Sequence, residues 1–316
     1  MLRAIALAAL LLPTAVLGQS VRLRALGTAQ DGGIPHAACA CPRCDAARAD
    51  PSRRRLVASL GLVVSGEGSA SKVFLIDATP DLRAQLDMLA DVRDAPADRV
   101  DRAPVDGVLL THAHVGHYAG LMFFGYEAVS TRDLPVWGTP KMIAFLRANE
   151  PWAQLVRIRN IEPREAPPGV AFEPAPGVTV TPIRVPHRDE LSDTVGFRIT
   201  GPARTALYIP DTEPWRNWRE PFPDPITLFE GVDVAILDAT FYSPGELPGR
   251  NIAAIGHPLM TETMDLLESR VRAGALTVYF THLNHSNPVL DPAGEEARAV
   301  ESRGFMILRD GQEIPL

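Results

Sequence analysis

Five short apolar runs in this chain lead into a histidine or an aspartate, and that recurring pattern restricts the fold more than any other feature. Val105–Leu110 leads into His112, His114 and His117; Val178–Val185 into His187; Thr205–Ile209 into Asp211; Val232–Leu237 into Asp238; and Leu276–Phe280 into His282. Runs of this length and composition read as buried strands. Polar residues that recur at their ends place a reactive edge on loops above a rigid sheet. The densest of these ends is Thr111–Gly120, THAHVGHYAG, where three of the chain's eight histidines fall within six residues. A period of two puts His112 and His114 on one face as the strand ends, and His117 reaches back from the following turn. Neutral imidazole is the commonest ligand of zinc and similar ions. An ion with an open position turns bound water into a nucleophile near neutral pH.

Cys39, Cys41 and Cys44 are the only cysteines and form a C-x-C-x-x-C cluster. An odd number cannot pair off as disulfides, so a metal site completed by a histidine from far along the chain is the better account. One disulfide with a free thiol is the alternative, because the N-terminus points to an oxidising compartment. Residues 1–18 read as an export signal: Arg3 supplies the positive start, Ala4–Leu17 the apolar stretch, and Val16 and Gly18 small residues suited to cleavage before Gln19. The apolar stretch is shorter than the ~20 residues a spanning helix needs, and no other segment is long and apolar enough. The reading therefore places residues 19–316, as one domain, in the periplasm or outside the cell. An uncleaved anchor or a buried first helix is the alternative.

An apolar content of 46% over 316 residues supports a sizeable core, and a formal charge of −7 argues against a broad nucleic-acid surface. The 29 prolines predict many fixed turns and few long helices. Further strands are predicted at Val21–Thr28, Leu56–Ser65, Lys72–Ala78, Leu134–Trp137, Thr194–Thr200, Phe305–Leu308 and Glu313–Leu316. Gly66–Ser69 would join the second and third of these, and Asp31-Gly32-Gly33 reads as a turn. Helices are predicted at Asp81–Val92, Ala119–Val129, Met142–Asn149, Thr261–Val271 and Pro292–Ser302.

The ligand-bearing stretches resemble the metallo-β-lactamase superfamily, whose pattern is H-x-H-x-D-H followed by a lone His, a lone Asp and a final His on successive strand ends. The resemblance implies an α/β fold, an αββα sandwich of two mixed sheets flanked by helices, with one or two metal ions at one edge. It carries over His112, His114, His117, His187, Asp211 in YIPDT and His282 in FTHLNH as ligands, with Asp211 as the bridging carboxylate. Two branches are closest in pattern. LGTAQDGGIPHAACACPRC, ATPDLRAQL and HLNHSNPVLD look like coenzyme PQQ synthesis protein B. The cysteine cluster and the ligand set look like the phosphoribosyl cyclic phosphodiesterase of phosphonate breakdown, whose pattern assigns Cys39, Cys41, Cys44 and His285 to a structural zinc. A closed Cys3His tetrahedron suits structure rather than catalysis. His257 matches in position a histidine that ribonuclease Z-like relatives use near the scissile phosphate, as general acid or oxyanion partner; a structural hydrogen bond at a helix entry is the alternative. Asp238 resembles the acidic residue that orients site histidines in the same relatives. Arg184 and Arg188 would recognise anions if turned inward, His36 could line the mouth, and Phe241 or Tyr242 could pack against substrate.

Where the superfamily has aspartate, this chain has Gly116. That leaves the second metal position with His117, Asp211 and His282, and predicts weaker occupancy there or a single-metal centre. The coenzyme PQQ synthesis protein B pattern lacks the leading histidines present here, so the site is the more hydrolase-like. The leading expectation is a metal-dependent hydrolase in which a metal-bound hydroxide attacks a phosphodiester, ester or lactone of a small-molecule substrate. The ions expected are one structural zinc and one or two at the active site, zinc first and iron or manganese as alternatives. The alternative functions are PQQ biosynthesis or maturation, as an oxidative step or a carrier, and a non-catalytic binding protein with a degenerate metal site.

Overall fold

In the computed structural model, residues 18–66, 70–93, 95–247, 249–252 and 255–316 are described. The expected export segment, Gly18 apart, and most of the Gly66–Ser69 turn lie outside the described residues. In chain order the strands are β1 (Ser20–Gly27), β2 (Ser59–Ser65), β3 (Lys72–Ile76), β4 (Gly107–Leu109), β5 (Leu134–Gly138), β6 (Ile161–Glu165), β7 (Phe172–Ala175), β8 (Val178–Arg184), β9 (Val195–Thr200), β10 (Thr205–Ile209), β11 (Val234–Asp238), β12 (Thr277–Thr281), β13 (Met306–Ile307) and β14 (Glu313–Pro315). They form two seven-stranded sheets, ordered β14-β1-β2-β3-β4-β5-β6 and β13-β12-β11-β10-β9-β8-β7. Both are mixed. The β3–β6 and β10–β13 halves are parallel and the remainder antiparallel.

Strand alternation divides the apolar residues between two kinds of core. In β11, Val234 and Ile236 point between the sheets, where they join Leu62, Phe74, Phe197 and Tyr208. Ala235 and Leu237 point the other way, onto Met260, Met264 and Leu267. In β3, Phe74 and Ile76 face the inter-sheet core, while Val73 and Leu75 face Leu82 and Leu86. Both faces are therefore apolar, as buried parallel strands require. Each fully buried side chain of this size stabilises the fold by about 1.5–3 kcal/mol, and a one-residue slip of β11 would exchange the two cores.

The helices are α1 (Pro42–Ala49), α2 (Leu82–Asp87), α3 (Val115–Tyr118), α4 (Pro140–Ala148), α5 (Trp152–Arg157), α6 (Met260–Arg272) and α7 (Glu295–Ser302); α2, α4 and α5 cover one sheet and α6 and α7 the other. α4 starts where it does because the Thr139 side chain accepts from the Met142 amide and Pro140 needs no amide partner. The expected αββα sandwich is what the chain forms.

Three predicted helices are shorter than the sequence suggested, the last of them by its first turn, since α7 begins at Glu295 and not at Pro292. Residues 119–129 give only a 3-10 helix, Ala119–Phe124, after the single turn of α3. Gly120 turns its amide to Ala78 O at 2.9 Å, and a Cβ there would lie 2.1 Å from Thr79 O, so the segment is pressed against the loop after β3. The 81–92 helix stops at Asp87 and resumes as a 3-10 turn at Ala90–Val92. Its Met88 carbonyl accepts from Arg24 instead of continuing the helix.

Candidate metal centre

The parallel strands all end at the same edge of the sandwich, and the loops beyond them carry the polar residues. β3 ends at Asp77, whose buried carboxylate accepts from the Thr111 amide (2.8 Å), the Thr111 hydroxyl (2.9 Å) and His117 Nδ1 (2.7 Å). The Thr111 hydroxyl is thereby committed as a donor, so it accepts from His112 Nδ1 at 3.0 Å. β11 ends at Asp238, which accepts from the Thr240 hydroxyl at 2.8 Å, and Thr240 in turn accepts from His282 Nδ1 at 2.9 Å. Two carboxylates thus fix the tautomers of three imidazoles. Each points Nδ1 at its oxygen partner and turns Nε2 into the site.

Those Nε2 atoms converge on Asp211, just after β10. Asp211 Oδ2 lies 3.4 Å from His112 Nε2, 3.2 Å from His187 Nε2, 3.8 Å from both His117 Nε2 and His282 Nε2, and 4.0 Å from His114 Nδ1. His187 Nε2 and His114 Nδ1 are 3.1 Å apart. The candidate ligand atoms of His112, His114, His187 and Asp211 lie within 4.8 Å of one another, and those of Asp31, His117 and His282 form a second such group. Ligands about 2.0–2.2 Å from one ion lie about 3–3.6 Å apart, so both groups are close to ligand spacing.

Asp31 Oδ1, His112 Nε2, His117 Nε2 and His282 Nε2 are all buried without a hydrogen-bond partner. Each such atom costs about 1–3 kcal/mol if left unsatisfied. Divalent ions would satisfy all four, so the donor set fits the expected metals. Burial pushes the Asp211 carboxyl up, but the surrounding His187, His257 and His282 outweigh it and hold it well below the usual range. Asp31 follows the same logic through His117 and His282. Burial and His117 hold His112 neutral, whereas Asp77 and Asp31 outweigh burial at His117 and raise it. Metal binding would displace that proton, since imidazole ligates when neutral.

Asp31, read from sequence only as part of a turn, stands beside the expected His117–Asp211–His282 group, with Oδ1 3.4 Å from His117 Nε2 and 3.8 Å from His282 Nε2. Asp77, Thr111 and Thr240 were missed as well. They lie at or just past strand ends, the signal that flagged the histidines. His257 points Nδ1 at Asp238 Oδ2 (2.8 Å) and stands 3.3 Å from Asp211 Oδ1. Burial pulls its pKa down, Asp238 and Asp211 outweigh that, and it rises to about 9.

At the other group, the Sγ atoms of Cys39, Cys41 and Cys44 each lie 3.6 Å from His285 Nδ1. A tetrahedral zinc with bonds of about 2.3 Å to sulfur and 2.0–2.1 Å to nitrogen gives an S···N edge of about 3.6 Å. No disulfide joins the three cysteines. Arg43 closes the knuckle by donating to His285 O at 2.7 Å, and the His36 ring stacks on His285. Arg184 and Arg188 pair loosely with Asp189 and Glu190 at 3.7 and 4.0 Å and stay largely exposed. Phe241 is buried, edge-on to His257.

Two mixed sheets face to face between helices, with a histidine–aspartate cluster at the edge where the parallel strands end, define a protein of the metallo-β-lactamase fold. The family described as "Beta-lactamase superfamily domain" matches residues 72–310, and the chain belongs to it. It is similar to coenzyme PQQ synthesis protein B of Methylobacterium sp. (strain 4-46), at 28% identity over 92% of this chain and 98% of that protein. The protein of that name from Cupriavidus necator is 27% identical over 93% and 99%. Among solved structures, Zn(2+)-bound PqqB from Methylobacterium extorquens has a TM-score of 0.76 at 25% identity, covering 93% of this chain and all of that one. A diphosphatase of the PhnP family shares the fold with a TM-score of 0.63 at 23% identity, covering 94% and 97%.

Proposed function

We propose that the protein is a metal-dependent hydrolase of a small molecule carrying a phosphodiester, ester or lactone. The observation that supports this is the convergence on Asp211 of the buried, partnerless Nε2 atoms of His112, His117 and His282, with the partnerless Asp31 Oδ1 beside the latter two. His112, His114, His187 and Asp211 would hold one ion, and His117, His282 and Asp211 would contribute to a second. Bound divalent ions lower the pKa of water to about 7 and polarise the electrophilic oxygen. Asp77 and Asp238 keep the imidazoles in the ligating tautomer. His257, held by Asp238, stands beside Asp211 as the acid that delivers a proton to the leaving group. Cys39, Cys41, Cys44 and His285 would hold a structural zinc. Zinc is the first choice at the centre, in keeping with the Zn(2+)-bound relative. The test is turnover of a panel of activated phosphodiesters, esters and lactones by the wild type and by His112→Ala/His114→Ala. Unchanged turnover in the double variant overturns the reading.

A second reading rests on likeness to proteins named coenzyme PQQ synthesis protein B over nearly their whole length. On it the same centre handles PQQ or a precursor, as an oxidative step or a carrier. Bound iron with oxygen consumed during turnover favours it, and zinc with no oxygen dependence favours hydrolysis. Purified protein holding only the structural zinc would support a binding role. We place the mature chain in the periplasm or outside the cell on the strength of residues 1–18.

A further inference from the structure

The loop after β1 and the start of α3 meet at one point. A Cβ built on Gly116 would lie 2.1 Å from Asp31 Oδ1, 2.7 Å from its Cγ and 3.0 Å from its Cα. The Asp31 carboxylate therefore occupies the space into which a side chain at Gly116 would project. Its Oδ1 is buried, has no hydrogen-bond partner, and stands 3.4 Å from His117 Nε2 and 3.8 Å from His282 Nε2. The loop is fixed by backbone bonds: Gln30 N donates to Leu283 O (2.9 Å), Leu283 N to Thr28 O (2.8 Å) and Gly33 N to Gln30 O (2.8 Å).

We propose that Asp31 is the private carboxylate ligand of the second ion, supplied from the β1 loop, and that Gly116 lacks a side chain because Asp31 fills its place. The proposal rests on the metal centre described under Proposed function. It makes the two positions exchangeable: one carboxylate, from either side, completes the second position, and two do not fit. A glycine at 116 in this chain therefore marks a relocated ligand and not a lost one.

The experiment is metal content per chain by plasma mass spectrometry, and affinity by competition with a chromophoric chelator, on zinc-loaded wild type, Asp31→Asn, Asp31→Ala, Gly116→Asp and Asp31→Ala/Gly116→Asp. Thermal melting of each variant and retention of the Cys39–Cys44 zinc report on folding. The wild type is expected to hold three zinc ions. Asp31→Asn, which keeps the shape and loses the charge, and Asp31→Ala should weaken one ion by at least the roughly 10–100-fold that loss of a mere supporting partner costs. Gly116→Asp alone should also lose that ion, because its Cβ collides with the Asp31 carboxylate, and the double variant should recover it. Wild-type affinity in both Asp31 variants overturns the ligand role of Asp31. A double variant no better than Asp31→Ala overturns the exchange. A wild type holding only the structural zinc overturns the proposed metal centre, and this inference with it.

Discussion

The amide of Gln30 donates to the carbonyl of Leu283 at 2.9 Å, which seats the loop carrying Asp31 against the strand end carrying His282. The same two segments continue into the cysteine knuckle, Cys39–Cys44 on one side and His285 on the other. The knuckle and the group of Asp31, His117 and His282 therefore share their scaffolding. Cys41→Ser should lower the melting temperature by about 5 °C, taking a loss of about 3 kcal/mol for a chain of this length. It should also weaken the ion at His117 and His282 while sparing the one at His112, His114 and His187. Calorimetry with metal titration checks both parts, and equal weakening of the two ions would refute the linkage.

Asp77 touches His117 through its Nδ1 and His112 through Thr111. Asp77 itself sits at φ 68°, a left-handed conformation that asparagine tolerates. Asp77→Asn should keep the fold yet cost about 10–100-fold in active-site metal affinity. Unchanged affinity in a chelator competition would show that Asp77 only supports the loop.

His257 owes its elevated pKa, about 9, to Asp238 and Asp211 overcoming burial. Removing the Asp238 charge removes a stabiliser of the imidazolium, so in Asp238→Asn the proton leaves at lower pH. The alkaline limb of the kcat profile should then move toward neutrality, while His257→Ala should lose about 10²–10⁴-fold in kcat. An alkaline limb that stays in place in Asp238→Asn would exclude His257 as the acid.

The strand-end pattern made most of this centre legible in the sequence, since His112, His114, His187 and Asp211 come together as the period of two and the repeated apolar runs imply. The short apolar runs of the inner strands were equally readable because burial on both faces leaves a continuous apolar signature. β6 and β7 were not, for they end the two sheets and their exposed faces dilute that signature: IEPRE reads as polar loop. Asp31 was hidden for another reason. Asp-Gly-Gly is strong turn chemistry, and only the meeting of β1 with the β12 loop, remote in sequence, shows what the carboxylate faces.

N-terminal sequencing of protein recovered from the native host tests the export reading. Cleavage there should leave a chain beginning at Gln19. A chain still beginning at Met1 and found in the cytosol would contradict it.

The proposed two-ion centre built around Asp211 is tested by counting ions on the purified chain with and without Asp211→Ala. The wild-type chain should carry three divalent ions, and Asp211→Ala a single ion at the cysteine knuckle after dialysis, with the melting transition retained. One ion on the wild type, or three on the variant, would contradict it.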